Sequence, residues 1–163
     1  MGTERVSDCA VALSVVPVRD FRPVLTMFYR EETEEFLRHH HKAHGGVAEC
    51  VDDMCNTISP ESTFYQVSRG RDVVAFFVKA NCGGVAVLEG FHIRRGHRTA
   101  TIIPEFWDIV NVAMAEPYYI GVLACNTPAI HHLTRNGFEI VGPIIHDGQR
   151  FLLLKNKLIY LCH

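Results

Sequence analysis

The spacing of hydrophobic residues changes several times along the chain, and each change marks a new predicted element. A run rich in β-branched residues over 12–18 predicts a first strand. Apolar side chains at helical spacing then predict a helix that has Pro23 in its first turn and reaches about His40, with Asp20 as its cap. A Gly-Gly pair ends this helix, and a second short helix with one apolar face follows.

The middle of the chain has the period of two that is typical of strands. Three such runs lie over 63–68, 73–78 and 85–93, and short polar turns separate them. Together they predict an antiparallel meander. A wide apolar stripe over about 102–114 then predicts a third helix, which packs on the sheet through residues such as Trp107.

The last third of the chain predicts a strand over 118–123, a short helix from Asn126 to Gly137, and two strands that begin at Phe138 and Arg150. The predicted order is therefore strand, two helices, three strands, helix, strand, helix and two strands. We expect the following residues to be largely buried: Ile102, Phe106, Trp107, Val110, Leu133 and Phe138.

Composition indicates one globular domain. The chain has 163 residues, of which 48% are hydrophobic and 21% are charged, enough to bury one sizeable core. No internal repeat, linker or low-complexity tract suggests a second domain. We therefore expect a single domain over 1–163, with residues 1–10 flexible.

Charge and hydropathy exclude several classes of function. The formal net charge of −2 provides no overall basic field, so a nucleic acid is not the expected partner. No apolar run of about 18 residues occurs, and none follows a basic start, so we expect a cytoplasmic protein without a membrane partner. The six cysteines form no C-x-x-C pair and are expected to be reduced thiols.

Histidines are concentrated at 39–41 and at His44. His40 and His44 are one helical turn apart and could share a metal ion. However, the H-E-x-x-H pattern is absent, and polar or cationic side chains are favoured at a helix end. We expect a solvated helix terminus here and predict no metal site.

The segment 124–138, Ala-Cys-Asn-Thr-Pro-Ala-Ile-His-His-Leu-Thr-Arg-Asn-Gly-Phe, is the most informative motif in the chain. Asn126 is suited to cap a helix, Ala129 permits close packing, Gly137 provides a left-handed exit, and Phe138 starts a buried strand. The segment resembles the N-x-x-A to G-F signature of the GNAT acyltransferases, whose element order the chain also matches. A well-capped helix without further function is the alternative.

The segment 91–100, Phe-His-Ile-Arg-Arg-Gly-His-Arg-Thr-Ala, lies between a predicted strand and a predicted helix. Backbone N–H groups at a helix N-terminus bind anions, and arginines add positive charge. GNAT proteins carry the loop R/Q-x-x-G-x-G/A at this position. Aligning Gly96 with its first glycine puts Ile93 in place of Arg or Gln, and Arg98 in place of the second Gly or Ala. The loop is therefore a degenerate version of the family's pyrophosphate loop.

The resemblance implies a fold and a cofactor site. The fold class is α/β (α+β), with a mixed, splayed sheet of about six to seven strands and about four helices. The strands that end near Ile93 and Leu123 should diverge and open a cleft for acetyl-CoA. N–H groups from about Arg95 to Thr99 should converge on phosphate, unless the Arg98 side chain fills the groove. The expected cofactor-binding residues are Phe91, Ile93, Arg94, Arg95, Gly96, His97, Arg98, Thr99 and Asn126, and a solvated basic turn is the alternative for the arginine cluster.

The catalytic groups are less defined. Acyl transfer to an amine needs a base, and Glu89 is the candidate because alternation with Phe91 and Ile93 gives it apolar neighbours; exposure to solvent is the alternative. Many GNAT enzymes use a tyrosine acid on the helix before the G-F turn, but that position is Leu133. The adjacent histidines, His131 and His132, are expected to be surface or structural residues. At least one of the two tyrosines at 118–119 should be in the core.

The implied function is transfer of an acyl group, most simply acetyl, from coenzyme A to an unidentified amine on a small molecule or a protein. The alternative is a GNAT-like module without turnover that serves in binding or assembly, for example in a bacteriophage, since relatives with eroded loops occur among small bacterial and phage proteins. Oligomerisation is open at this level.

Overall fold

The secondary structure comes from a computed structural model that describes residues 12–32 and 46–156. Within these residues there are four helices and seven strands, and a 3₁₀ turn spans Arg95–His97. The helices are α1 (Arg22–Glu31), α2 (Val47–Thr57), α3 (Ile102–Met114) and α4 (Thr127–Arg135). The strands are β1 (Leu13–Val18), β2 (Thr63–Arg69), β3 (Asp72–Cys82), β4 (Val85–Ile93), β5 (Tyr118–Leu123), β6 (Phe138–His146) and β7 (Gln149–Asn156).

The predicted order of elements is confirmed throughout the described chain. The expectation that Asp20 caps the first helix is wrong, because the residue at the N-cap of α1 is Phe21 and no side chain caps it. Pro23 nevertheless lies in the first turn, as predicted. The helix end near His40, the histidines at 39–44 and the flexible residues 1–10 lie outside the described residues.

All seven strands form one mixed sheet in the order β1-β2-β3-β4-β5-β7-β6. The first four strands are an antiparallel meander, and β5, β7 and β6 are also paired antiparallel. The parallel pair is β4 with β5. This sheet confirms the predicted α/β class, and its two antiparallel parts meet at β4 and β5.

The two central strands separate soon after they meet. Ladder pairing between β4 and β5 covers Ala86 with Tyr118 and Val87 with Tyr119, and it stops there. The remaining parts of both strands, up to Ile93 and Leu123, are unpaired with each other. The predicted divergence is confirmed, and it leaves an opening in the middle of the sheet.

The core has two parts, one on each face of the sheet. One cluster joins α3 and α4 to the sheet, and the other joins α1 and α2 to β2 and β3. All six residues expected in the core are no more than 5% exposed. They are Ile102, Phe106, Trp107, Val110, Leu133 and Phe138, and Tyr118 is also fully buried, as expected for one of the tyrosine pair. None of the described helices is long and apolar enough to cross a bilayer.

Candidate functional site

A cleft of about 1010 Å³ opens where β4 and β5 separate. Residues from the ends of both strands line it, and α2, α4 and the β6–β7 hairpin supply its other walls. Five of the ten expected site residues line the cleft, namely Glu89, Phe91, Ile93, Arg98 and Asn126. The other five, which are Arg94, Arg95, Gly96, His97 and Thr99, lie in the adjoining turn and are not among the described residues that line it.

Glu89 lies at an irregularity of β4. Val78 of β3 pairs with Gly90, and the next residue, Lys79, pairs with Leu88, so Glu89 is left over in the ladder. The simple alternation that places Glu89 on one face with Phe91 therefore does not hold, because an extra residue in a strand reverses the facing of the residues after it. Glu89 is exposed. Its Oε2 accepts a hydrogen bond from the Ser62 hydroxyl at 2.9 Å.

The N–H groups of the β4–α3 loop are mostly bonded within the protein. His97 donates to the Arg94 carbonyl, Arg98 to the Arg95 carbonyl and Thr99 to the His97 carbonyl. The N–H of Arg95 donates to a side chain, the carboxylate of Glu32. The predicted convergence of N–H groups from Arg95 to Thr99 on one external anion is therefore wrong for these four.

Glu32 follows α1 and reaches the start of the loop. One carboxylate oxygen accepts the Arg95 N–H and the other contacts Nε2 of His92, with which it forms an ion pair when the imidazole is protonated. The side chains of Glu32 and His92 are 7% and 10% exposed. The nearly buried carboxylate of Glu32 thus contacts the loop that was predicted to bind phosphate.

The arginines of the loop point to different partners. Arg94 donates to the Val73 carbonyl and to the Glu31 carboxylate, both at 2.9 Å. Arg98 donates through Nε to the Ile93 carbonyl at 2.7 Å and lines the cleft. Arg98 therefore lies beside the groove, and its two expected roles, a contact to phosphate or a block of the groove, stay predictions.

The side chains of Thr99 and Asn126 each accept a backbone N–H at the start of a helix, α3 and α4 respectively. Thr99 Oγ1 accepts the N–H of Ile102 at 3.1 Å, and Asn126 Oδ1 accepts the N–H of Ala129 at 3.2 Å. These bonds satisfy N–H groups that a helix start otherwise leaves without partners. The predicted cap at Asn126 is confirmed.

His132 lies in the wall that α4 contributes to the cleft. Its Nε2 accepts a hydrogen bond from Trp107 Nε1 at 3.0 Å, and its ring stacks on Phe91 with centroids 6.0 Å apart. Burial, followed by the positive charge of Arg98, lowers the pKa of His132. Leu133, at the position of the family's usual tyrosine, is fully buried in the core.

The opposite side of the cleft is more polar. Asp53, Asn56 and Thr57 of α2 and His146 of β6 line it, and Ile144 adds an apolar surface. Asp53 and Glu89 are the carboxylates among the lining residues of the described chain.

Two residues of this site lie outside the set that the sequence predicts. The hydrophobic pattern places Glu32 within a longer helix, and nothing near it in the chain indicates a contact with a loop 63 residues away. His132 is expected from sequence to be a surface or structural residue, although a buried Trp107 needs an acceptor for its indole N–H. That need is a usable signal for a polar partner beside Trp107.

Solved structures of acetyltransferases resemble this chain, and three of them illustrate the similarity. An acetyltransferase from Thermus thermophilus is 16% identical, with a TM-score of 0.70, and the match covers 90% of this chain and 97% of that one. An aminoglycoside N(6′)-acetyltransferase from Legionella pneumophila is 14% identical, with a TM-score of 0.65, and the match covers 88% of this chain and 90% of that one. A GNAT family acetyltransferase from Elizabethkingia anophelis with acetyl-CoA bound is 11% identical, with a TM-score of 0.61, and the match covers 90% of this chain and 98% of that one.

These similarities are of structure rather than of sequence. No family model matches the chain, and no curated protein matches it. The three neighbours nevertheless match along 88–90% of this chain. The chain therefore has the fold of the GNAT acetyltransferases.

Proposed function

We propose that the protein transfers an acyl group, most simply acetyl, from coenzyme A to an amine. The observation that carries the proposal is the separation of β4 from β5, which opens a cleft of about 1010 Å³ in the middle of the sheet. Backbone groups that leave a ladder remain available to a ligand. An extended chain such as the pantetheine arm can pair with them in the way an added strand would.

The residues proposed to hold the donor form two groups. Phe91, Ile93 and Asn126 line the cleft, where they would contact the arm. Arg94, Arg95, Gly96, His97, Arg98 and Thr99 form the adjoining turn, where they would face the phosphates. Because most N–H groups of this turn are already bonded, its positive side chains would supply the main attraction.

Glu89 is the proposed base. It lines the cleft, it is exposed to solvent, and Ser62 fixes one of its oxygens. An amine that enters from the polar side would attack the thioester carbonyl, and Glu89 or a water held by it would accept the proton. The free N–H groups of β4 would polarise the carbonyl.

A binding module without turnover is the second candidate. Two observations favour it: the Glu32 carboxylate lies on the loop, and Leu133 is buried where the usual acid would be. Both features lower the expected efficiency of an acetyltransferase. Neither closes the cleft.

Calorimetry with acetyl-CoA, followed by an assay of thioester consumption with a panel of amines, tests the proposal. Binding together with transfer supports the enzyme, binding without turnover favours the module, and absence of binding overturns both. In an active protein, Glu89→Gln should lower kcat by about 10² to 10⁴-fold. Glu116→Gln, an exposed position just before β5, is the matched control and should leave kcat unchanged.

A further inference from the structure

The ring of His132 has a fixed tautomer. An indole N–H can only donate, so the bond from Trp107 requires His132 Nε2 to be the acceptor. A neutral imidazole that accepts at Nε2 carries its proton on Nδ1. Burial lowers the pKa of His132, which keeps the ring neutral near neutral pH. The side chain is therefore a hydrogen-bond donor through Nδ1.

That donor is not shut off from solvent. Among the described residues, no side-chain nitrogen or oxygen shut off from solvent lacks a hydrogen-bond partner. Trp107 is the hydrogen-bond partner of the His132 ring within the described chain, and it engages Nε2. Nδ1 therefore retains some access to solvent, and the side chain to which it belongs lines the cleft.

Its neighbours place this donor beside the open part of the cleft. His132 stacks on Phe91, which lies in β4 beyond Val87, the last residue paired with β5. Trp107 packs edge-on against the same Phe91, with ring centroids 5.0 Å apart. Trp107 is 3% exposed, so the orientation of the imidazole is set by a side chain that is itself fixed in the core.

We propose that His132 is a catalytic residue whose Nδ1–H donates a hydrogen bond to the sulfur of the coenzyme A thioester as the thiolate departs. This inference rests on the proposed function. The amine nitrogen forms a bond to the carbonyl carbon, the carbon–sulfur bond breaks, and its electron pair moves to sulfur. Glu89 or water takes the proton of the nitrogen. His132 keeps its own proton, and the thiolate is protonated from solvent.

The chemical reason is the charge that develops on sulfur. A hydrogen bond to an ionised acceptor is worth about twice one between neutral groups, so the Nδ1–H favours the thiolate over the neutral thioester. Interactions that strengthen as charge develops lower the barrier of the step.

Binding measurements with coenzyme A and with desulfo-coenzyme A, which lacks the sulfur, test the proposal without requiring turnover. At a pH where the bound thiol is ionised, wild type should prefer coenzyme A by about 10- to 100-fold, the usual range for a hydrogen bond to a charged group. His132→Phe should lose this preference and leave the affinity for desulfo-coenzyme A nearly unchanged. Ultraviolet absorbance of the thiolate should show a higher pKa for the bound thiol in His132→Phe.

A second variant separates loss of the donor from loss of the fold. Trp107→Phe keeps His132 but removes the bond that fixes its tautomer, so the preference for coenzyme A should fall only in part. Far-ultraviolet circular dichroism and thermal unfolding show whether each variant is folded. If wild type binds neither compound, the proposed function fails and this inference with it. If wild type binds both and His132→Phe keeps the same preference for sulfur, the role of His132 alone is overturned.

Discussion

The carboxylate of Glu32, just after α1, accepts the backbone N–H of Arg95 in the loop between β4 and α3. The Glu32 side chain is 7% exposed, and its second oxygen is held by His92. A fixed negative charge thus lies on the turn whose positive side chains we propose as the phosphate site. A bound pyrophosphate would have to tolerate this carboxylate or displace it.

Removing the charge of Glu32 should strengthen donor binding. We expect Glu32→Gln to raise the affinity for acetyl-CoA by about 1 to 2 kcal/mol, or about 5- to 30-fold, because like charges near a protein surface repel each other by this order of energy. Calorimetry at low ionic strength is the measurement. Glu31→Gln is the control, and it should have a smaller effect because the Glu31 side chain is 42% exposed and screened by solvent. Weaker binding by Glu32→Gln would show that the carboxylate organises the loop for its ligand.

The guanidinium of Arg98 should attract the phosphates of the donor. Its Nε donates to the Ile93 carbonyl, a second guanidinium nitrogen lies 3.5 Å from His92 Nε2, and the residue lines the cleft. We expect Arg98→Gly to weaken acetyl-CoA binding by about 1 to 3 kcal/mol, the value of a charge-assisted hydrogen bond. Arg98→Lys keeps the charge but not the planar guanidinium, so its affinity for acetyl-CoA should lie between that of wild type and that of Arg98→Gly. Tighter binding by Arg98→Gly would mean that the natural side chain blocks the groove.

Most of the fold could be predicted because its elements follow from hydrophobic patterns and capping residues that are local in the sequence. The strands of the meander follow from the period of two, and α3 follows from an apolar stripe whose residues, such as Phe106 and Trp107, are indeed buried. Asn126 is recognisable as a cap because its side chain acts on the helix that it precedes. Each of these predictions depends on residues close together in the chain.

The site could be predicted only in part because its contacts join distant residues. The bond between Glu32 and Arg95 spans 63 positions, and the one between Trp107 and His132 spans 25. Alternation assigns Glu89 to one face of the sheet, and a single unpaired residue in β4 is enough to undo that assignment. No local pattern contains this information.

Two valines of α3, one buried and one exposed, provide a test of the core. Val110 is fully buried and Val112 is 80% exposed, although both lie in the same helix. Val110→Ala should lower the free energy of unfolding by about 1.5 to 3 kcal/mol, because it removes buried methyl groups and leaves a cavity. Val112→Ala carries the same change in helix propensity and should stay within about 0.5 kcal/mol of wild type. Equal losses in urea denaturation would show that α3 is rotated from the orientation described.

The lowered pKa of His132 should make stability depend on pH. In the folded protein, burial disfavours the charged ring, so its pKa lies below the ordinary value of 6.5 that the unfolded chain retains. Between these two pKa values the unfolded chain binds more protons, and the free energy of unfolding therefore falls as the pH decreases. The free energy of unfolding is unaffected by the titration of His132 above pH 6.5. It falls as the pH decreases below that value, and it becomes constant again once His132 is also protonated in the folded protein.

The measurement is urea denaturation of wild type and His132→Gln across this range of pH. Gln does not titrate, and its amide can still accept the Trp107 N–H, so the variant should lose less stability than wild type as the pH falls below about 6.5. His131→Gln is the matched control, since His131 is the adjacent residue of α4 and is exposed. It should follow the wild-type curve, because an exposed imidazole is hydrated in both states. A His132→Gln curve parallel to wild type would show that the folded protein accommodates the protonated ring, and the neutral tautomer assigned from the Trp107 bond would then be wrong.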